Sequence, residues 1–277
     1  MVLADHLKDG QVLVVAPGRS LGALETAWLL RIGGCTADVT IVEAQGLPYW
    51  YDEAGSILTL SQAASMPAAT LPSGRSETLS ALKKYFPNLV MFDSVLASGF
   101  SDGSALVEVP TLMMGGAALQ SGAISIPMGG KILEENRTFA SLIGPSQKAV
   151  ILKLTEERHR VAKSFGVRNL PSPAKMIDTY GGSLRGDYSR PIPSQKMSKS
   201  LLRCGVIGSL VPLQSAGKIA NVQVPVTDAM ITLASSILGA DVSAAGRRLE
   251  AIGIDSGDID TARRAMDAIA TGEKYGR

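Results

Sequence analysis

Residues 11–44, QVLVVAPGRSLGALETAWLLRIGGCTADVTIVEA, place the tightest limit on what this chain can fold into. QVLVVA (11–16) is apolar and β-branched and stops at Pro17 and Gly18. LGALETAWLLRIG (21–33) has helical spacing through Leu24, Trp28 and Leu29 and closes on Gly33 and Gly34, and DVTIVEA (38–44) is a second strand. Strand, glycine-containing turn, helix and strand make a βαβ unit, which requires a sheet with a helix on its face. Such a turn brings helix N-terminal amides up to a phosphate, and Glu43 ends the second strand about 20 residues on, where a dinucleotide site keeps its ribose-binding acid. The chain has Gly18 and Gly22 but nowhere G-x-G-x-x-G, so these residues alone read as an ordinary later βα unit of an α/β sheet.

Short β-rich pieces follow at 56–60 and 68–72, and SETLSALKKYF (76–86) reads as a helix with Ser76 as its N-cap and Pro87 as its stop. Beyond about residue 95 the pattern is helical only. Residues 148–167 are amphipathic, with Val150, Ile151, Leu154, Val161 and Ala162 on one side and a stop at Gly166. Residues 200–220 read as a helical stretch broken around Pro212, and 224–270 as three helices closed at Gly239 and Gly253 and reopened by Asp241 and Ser256 as caps. The expected organisation is an α/β part over 1–95 and an all-helical part over 96–277.

Several function classes drop out. A formal charge of +2, from 27 basic and 25 acidic residues scattered along the chain, leaves no electrostatic footprint for nucleic acid or an anionic membrane. The uncharged stretch 109–130 holds two prolines and lacks the dense Leu/Ile/Val content of a spanning helix, so it reads as buried interior. Two distant cysteines, Cys35 and Cys204, point to a reducing, cytoplasmic setting, and no metal-ligand spacing or G-x-S-x-G elbow occurs. Short-chain dehydrogenases are excluded by the absence of a Tyr with Lys four residues on. KMSKS (196–200) matches the ATP-phosphate loop of class I aminoacyl-tRNA synthetases, but His6 and His159 lack the surroundings of the partner H-I-G-H turn, so the stretch reads as a solvated polar turn before a helix. His159, in a run of charges, reads as part of a solvated face.

The run GSLVPLQSAGKIANVQVPVTDAMITLASSILGADVSAAGRRLEAIGI (208–254) resembles the helical domain of the octopine/nopaline (opine) dehydrogenase family, with its G-L-V-P-like turn, G-x-x-x-x-V-x-x-P segment, long apolar helix and G-R-x-L-x-x-L-G element. HLKDGQVLVVAPGRSLGALE (6–25) is similar to the family's L-K-D-G-Q strand and N-P-G-R turn. Residues 39–52 are similar to its V-x-x-x-E-x-x-x-L-P-Y segment, 154–167 to its D-E-E-R helix, and Tyr180, Gly181 and Gly182 to its Y-G-G turn. The resemblance covers nearly all 277 residues. It implies a partial Rossmann-type sheet followed by a helical domain like the C-terminal domain of 6-phosphogluconate dehydrogenase. The glycine fingerprint would then lie before Met1.

The resemblance also implies NADH- or NADPH-dependent reductive condensation of an amino acid with a 2-oxo acid, and a homodimer or a separate N-terminal partner to complete the sheet. The family supplies acid–base chemistry through the His of N-x-N-x-x-x-H-P and the Asp of E-D-V-x-x-x-L-V. Here SDGSALVEVP (101–110) places Asp102 and Ser104 at the asparagines and Glu108 at the histidine, and Cys204 and Gly205 stand where Glu and Asp are expected. The alternative is a non-catalytic relative that binds a small molecule or a protein. The expected site is therefore Glu108 as the catalytic group, Pro17, Gly18, Arg19 and Glu43 at the cofactor, and Ser104 and Tyr180 at the substrate. For Glu108 the plainer role is pairing with a basic side chain, and for Arg19 anchoring the turn.

Overall fold

A computed structural model describes residues 2–54, 56–62, 65–115, 139–170 and 192–275. The βαβ unit consists of β1 (Val12–Val15), α1 (Gly22–Ile32) and β2 (Thr40–Ala44), with the strands parallel and paired from Val12 opposite Thr40 to Val15 opposite Glu43. Strand alternation sorts their side chains onto two faces. Leu13, Val15 and Ile41 join the larger core with α1 and α3 (Val95–Ser101), whereas Val14, Val42 and Ala44 join a smaller cluster under α2 (Ser76–Leu82). Glu43 follows Ile41 by two and falls on the face that α1 and α3 cover. In α1 the buried side is Leu24, Ala27 and Leu30; Trp28 is half-buried, and Leu29, expected inside, is exposed.

The sheet is mixed rather than wholly parallel. Its order is β1-β2-β5-β6, with β5 (Met66–Leu71) antiparallel to β2 and β6 (Leu89–Met91) parallel to β5. The chain leaves β2 through a hairpin, β3 (Tyr49–Ala54) and β4 (Ile57–Gln62), instead of a crossover helix, and so returns in the opposite direction. The sequence marked only the second of these hairpin strands and missed β6. Ser76 is the first residue of α2 rather than its cap. The N-cap position belongs to Arg75, whose guanidinium bonds Thr40 and Asp38, and the helix ends at Leu82.

All described elements after β6 are helical. Ser94 caps α3 through Ala97 N, and α4 (Ser104–Met114) is buried from Ser104 to Leu112. After a 3₁₀ turn at Phe139–Leu142 come α5 (Pro145–Ser164), α6 (Gln195–Gly205), a π turn (Val206–Leu210), α7 (Val211–Ile219), α8 (Pro225–Leu238), α9 (Leu249–Ile252) and α10 (Ile259–Thr271). The break expected at Pro212 lies at the π turn. Pro212 itself sits in the first turn of α7, directly after the π turn, and has no N–H to donate. Gly239 and Gly253 close α8 and α9 with φ of 63° and 95°. Asp241 caps only a turn, through Ser243 and Ala244 amides, and α10 is capped by Asp258 rather than Ser256. The interior reading of 109–130 holds for Val109–Leu112; residues 116–130 lie outside the described residues.

In α5 the charged run is only partly a solvated face: Glu156 and Arg160 are exposed and His159 is half-buried, but the two residues between Glu156 and His159 are not. Glu157 and Arg158 are 3% and 2% exposed, and Val150 is half-buried. Glu157 accepts hydrogen bonds from Val226 N (2.8 Å), Thr227 N (2.9 Å) and Thr227 Oγ1 (2.8 Å). It therefore supplies from a neighbouring helix the cap that Val224 cannot give α8. Glu157→Ala leaves the half-buried Val226 amide and the buried Thr227 amide without that acceptor and is expected to cost about 2–3 kcal/mol. Urea denaturation reads this as a lower midpoint at unchanged slope; a midpoint that stays put contradicts the capping role.

Candidate functional site

The turn that links β1 to α1 carries the first group of expected site residues. Pro17 is exposed and Gly18 is buried, its amide bonded to Ala44 O at 2.8 Å. Arg19 and Leu21 both have left-handed backbones, with φ of 53° and 66°. For residues with a Cβ this costs about 1–2 kcal/mol each and persists only where neighbours dictate it. They do: Ser20 N donates to Gly208 O at 3.0 Å, Ser20 Oγ to Gly99 O at 3.3 Å, and the Gln45 side-chain amide to Arg19 O.

Glu43 lies beneath this turn with no exposed surface. Its Oε2 accepts from Ala23 N at 3.1 Å, and its Oε1 accepts from Ser98 Oγ and Gln45 Nε2, each at 3.0 Å. A Cβ on Gly18 would come within 2.5 Å of Glu43 Cγ, so only glycine fits there. Burial pushes the Glu43 carboxyl up from the usual 4.5 to about 7. The Ala23 amide, the Arg247 charge and the Ser98 hydroxyl oppose that rise without cancelling it, and Asp102 adds to it.

A second polar group joins α3, α4 and the π turn. Arg19 Nη2 stands 3.8 Å from Glu108 Oε2, with the two side chains 11% and 8% exposed, and Arg19 Nη1 donates to Ser104 Oγ at 3.5 Å. Ser104 Oγ donates in turn to Asp102 Oδ1 at 2.6 Å, and Ser209 Oγ to Asp102 Oδ2 at 2.9 Å. Asp102 and Ser209, with Ser20, Arg158 and the apolar side chains of Leu21, Phe100 and Leu213, line a cavity of about 20 Å³, room for about one water. Arg158 Nη2 lies 3.4 Å from His159 Nε2.

The structure thus brings Gly18, Arg19, Glu43, Ser104 and Glu108 into one region. Tyr180 lies outside the described residues. Glu108 is paired with Arg19, the plainer role open to it. Gly205, at the position of the expected Asp, packs on α4, where a Cβ would lie 3.0 Å from Val109 Cγ2, and Cys204 points to solvent. The KMSKS stretch forms the first turns of α6, with Ser194 as its cap and Lys196 and Lys199 exposed. Sequence reasoning missed Asp102, Ser209 and Arg158 as site-lining groups. The D-x-S spacing was the available signal for the first, since Ser104 N folds back onto Asp102 Oδ1 at 3.2 Å.

This βα turn does not fit a dinucleotide's pyrophosphate. The space over Gly18 is filled by Glu43, and the Ala23 amide at the α1 N-terminus already serves a carboxylate. A phosphate there would have to displace the Glu43 carboxyl from the Ala23 amide. Neither does the fully buried Glu43 present an oxygen to a ribose.

No protein-family model matches the chain. A curated opine dehydrogenase of Arthrobacter sp. (strain 1C) is 26% identical over 265 residues, spanning 91% of this chain and 70% of the relative. Among solved structures, octopine dehydrogenase with NADH and L-arginine superimposes with a TM-score of 0.65 at 16% identity, covering 98% of this chain and 73% of that one. Yersinopine dehydrogenase with NADP+ superimposes with a TM-score of 0.61 at 12% identity, covering 95% and 72%. The two structural likenesses carry the fold, a Rossmann-type sheet followed by helices.

The raised Glu43 carboxyl fixes how stability depends on pH. Between pH 4.5 and about 7 the native state holds a proton that the unfolded chain has released, so stability falls as pH rises through that window. The loss is about 3 kcal/mol. Thermal unfolding followed across this window should show the decline, and Glu43→Gln should flatten it. A variant with the wild-type slope would show that another group titrates.

Proposed function

We propose that the chain is an opine dehydrogenase-like protein that takes part in NAD(P)H-dependent reductive condensation of an amino acid with a 2-oxo acid. The observation that carries the reading is the sequence match over 91% of the chain, joined to a buried guanidinium and carboxylate at the position where the family resemblance expects its acid–base group. The proposed division at about residue 95 runs through this region, with Arg19 on the α/β side and Ser104, Glu108 and Ser209 on the helical side.

In this reading Arg19 is the anion-binding group. Its planar fork can take a substrate carboxylate, and in doing so leaves Glu108. Glu108 is then the carboxyl that handles the proton near the reacting imine, and Ser104 orients the guanidinium. Because the β1–α1 turn is closed by Glu43, the dinucleotide's phosphates are assigned to a part of the assembly other than this turn.

A second reading has specific support. The expected His and Asp positions hold Glu108, tied to Arg19, and Gly205, packed on α4. A family member that binds a small acid without turning it over accounts for both. In either reading β1 matters for assembly. Among the described residues it ends the sheet with one unpaired edge, and its Val12 is 44% exposed. A strand from a second copy or from a separate polypeptide would complete it. Among the described residues no helix is long and apolar enough to cross a membrane.

Titration with NADH and NADPH, with and without pyruvate and a basic amino acid, read by fluorescence or calorimetry, tests the first reading. Saturable micromolar binding and turnover that Glu108→Gln lowers by about 100-fold or more are expected. No binding at millimolar cofactor assigns the chain to the second reading. Sedimentation at tens of micromolar tests the edge: association is expected, and a clean monomer contradicts it.

A further inference from the structure

One guanidinium ties together the two backbone segments on which the candidate site stands. Arg247, with its side chain 12% exposed, donates through Nη1 to Ser20 O and to Gly208 O (3.3 Å), and through Nε to Glu25 Oε2 (2.8 Å). Its own amide donates to Ile207 O at 3.2 Å. Ser20 directly follows Arg19, and Gly208 directly precedes Ser209. The two carbonyls it holds therefore flank the residues that contact Glu108 and Asp102.

The close packing here leaves little freedom. The Arg19 stem lies on Gly208, where a Cβ would come within 2.9 Å of Arg19 Cδ, so the π turn is the floor under that side chain. The loop that carries Arg247 approaches just as closely, since a Cβ on Gly246 would lie 2.5 Å from Val211 Cβ. Gly208 O accepts from both Ser20 N and Arg247 Nη1, which fixes turn, floor and latch to one atom. Arg247 touches none of Ser104, Glu108 or Asp102 in the described contacts.

We infer that Arg247 is a positioning residue, a latch that holds the left-handed Arg19–Leu21 turn against the π turn so that Arg19 meets Ser104 and Glu108 and Ser209 meets Asp102. The inference rests on the proposed function only for what the aligned residues then do, which is to receive a small carboxylate. A lysine has the charge but not the planar fork, so geometry and charge can be separated experimentally.

Arg247→Met and Arg247→Lys, compared with the unsubstituted chain, give three readouts. Amide hydrogen exchange at Ser20 should quicken about ten-fold or more in both variants, while β5 and α10 keep their rates. The titration of Glu43, followed by carboxyl carbon chemical shift, should move to higher pH in the methionine variant and stay in the lysine variant, because the Arg247 charge favours the ionised carboxylate. The dissociation constant for pyruvate should rise about ten-fold in both. Faster exchange throughout the chain, or pyruvate affinity that is unchanged while Ser20 exchange quickens, overturns the positioning role. If the unsubstituted chain binds no pyruvate, the functional reading falls, and the exchange and titration arms still decide whether Arg247 is the latch.

Discussion

The buried carboxylate of Glu43 is the contact on which the first part of this structure depends. A charge without exposed surface is tolerated only where protein donors replace water, and here three elements supply them: the α1 N-terminus through Ala23, α3 through Ser98, and the end of β2 through Gln45. Each donor fixes the direction of its element. The same carboxylate explains why position 18 is glycine and why the turn above it can follow an unusual left-handed path. Desolvation still outweighs these donors, so the group binds its proton at near-neutral pH.

From this anchor the polar structure runs outward without interruption. Gln45 bonds both Glu43 and the Arg19 carbonyl, Arg19 reaches Ser104 and Glu108, and Asp102 joins Ser104 to Ser209 of the π turn. The strand that opens the fold and the helices that follow the sheet are therefore connected through buried hydrogen bonds as well as through one continuous apolar core. The arrangement places the Arg19 guanidinium and the Glu108 carboxylate together, with little exposed surface on either. It also occupies the helix terminus that a nucleotide phosphate would need.

Period and punctuation made much of this legible. The apolar, β-branched runs QVLVVA and DVTIVEA gave the strands, and the glycines at 239 and 253 gave the ends of α8 and α9, whereas Glu43, which reads as a ribose-binding acid, is fully buried. What escaped depends on partners distant in sequence. Glu157 reads as surface charge until α8 is brought 70 positions along the chain to its carboxylate, and Ser209 is one serine among many until Asp102 meets it. The antiparallel return of β5 was hidden because its cause is the hairpin, whose first strand carries no clear alternating pattern. The sequence offers pairing with a basic side chain as the plainer role for Glu108 and anchoring of the turn for Arg19, but not that the two are partners of one another.

The most direct test of the account is an amide nitrogen–proton spectrum of the chain titrated with inorganic pyrophosphate and then with NADH. If Glu43 occupies the α1 N-terminus, the amides of Gly18, Gly22 and Ala23 stay in place at every concentration, whatever moves elsewhere. Saturable shifts at Gly22 and Ala23 would show that a phosphate displaces the carboxylate, and the turn would then be a nucleotide site after all.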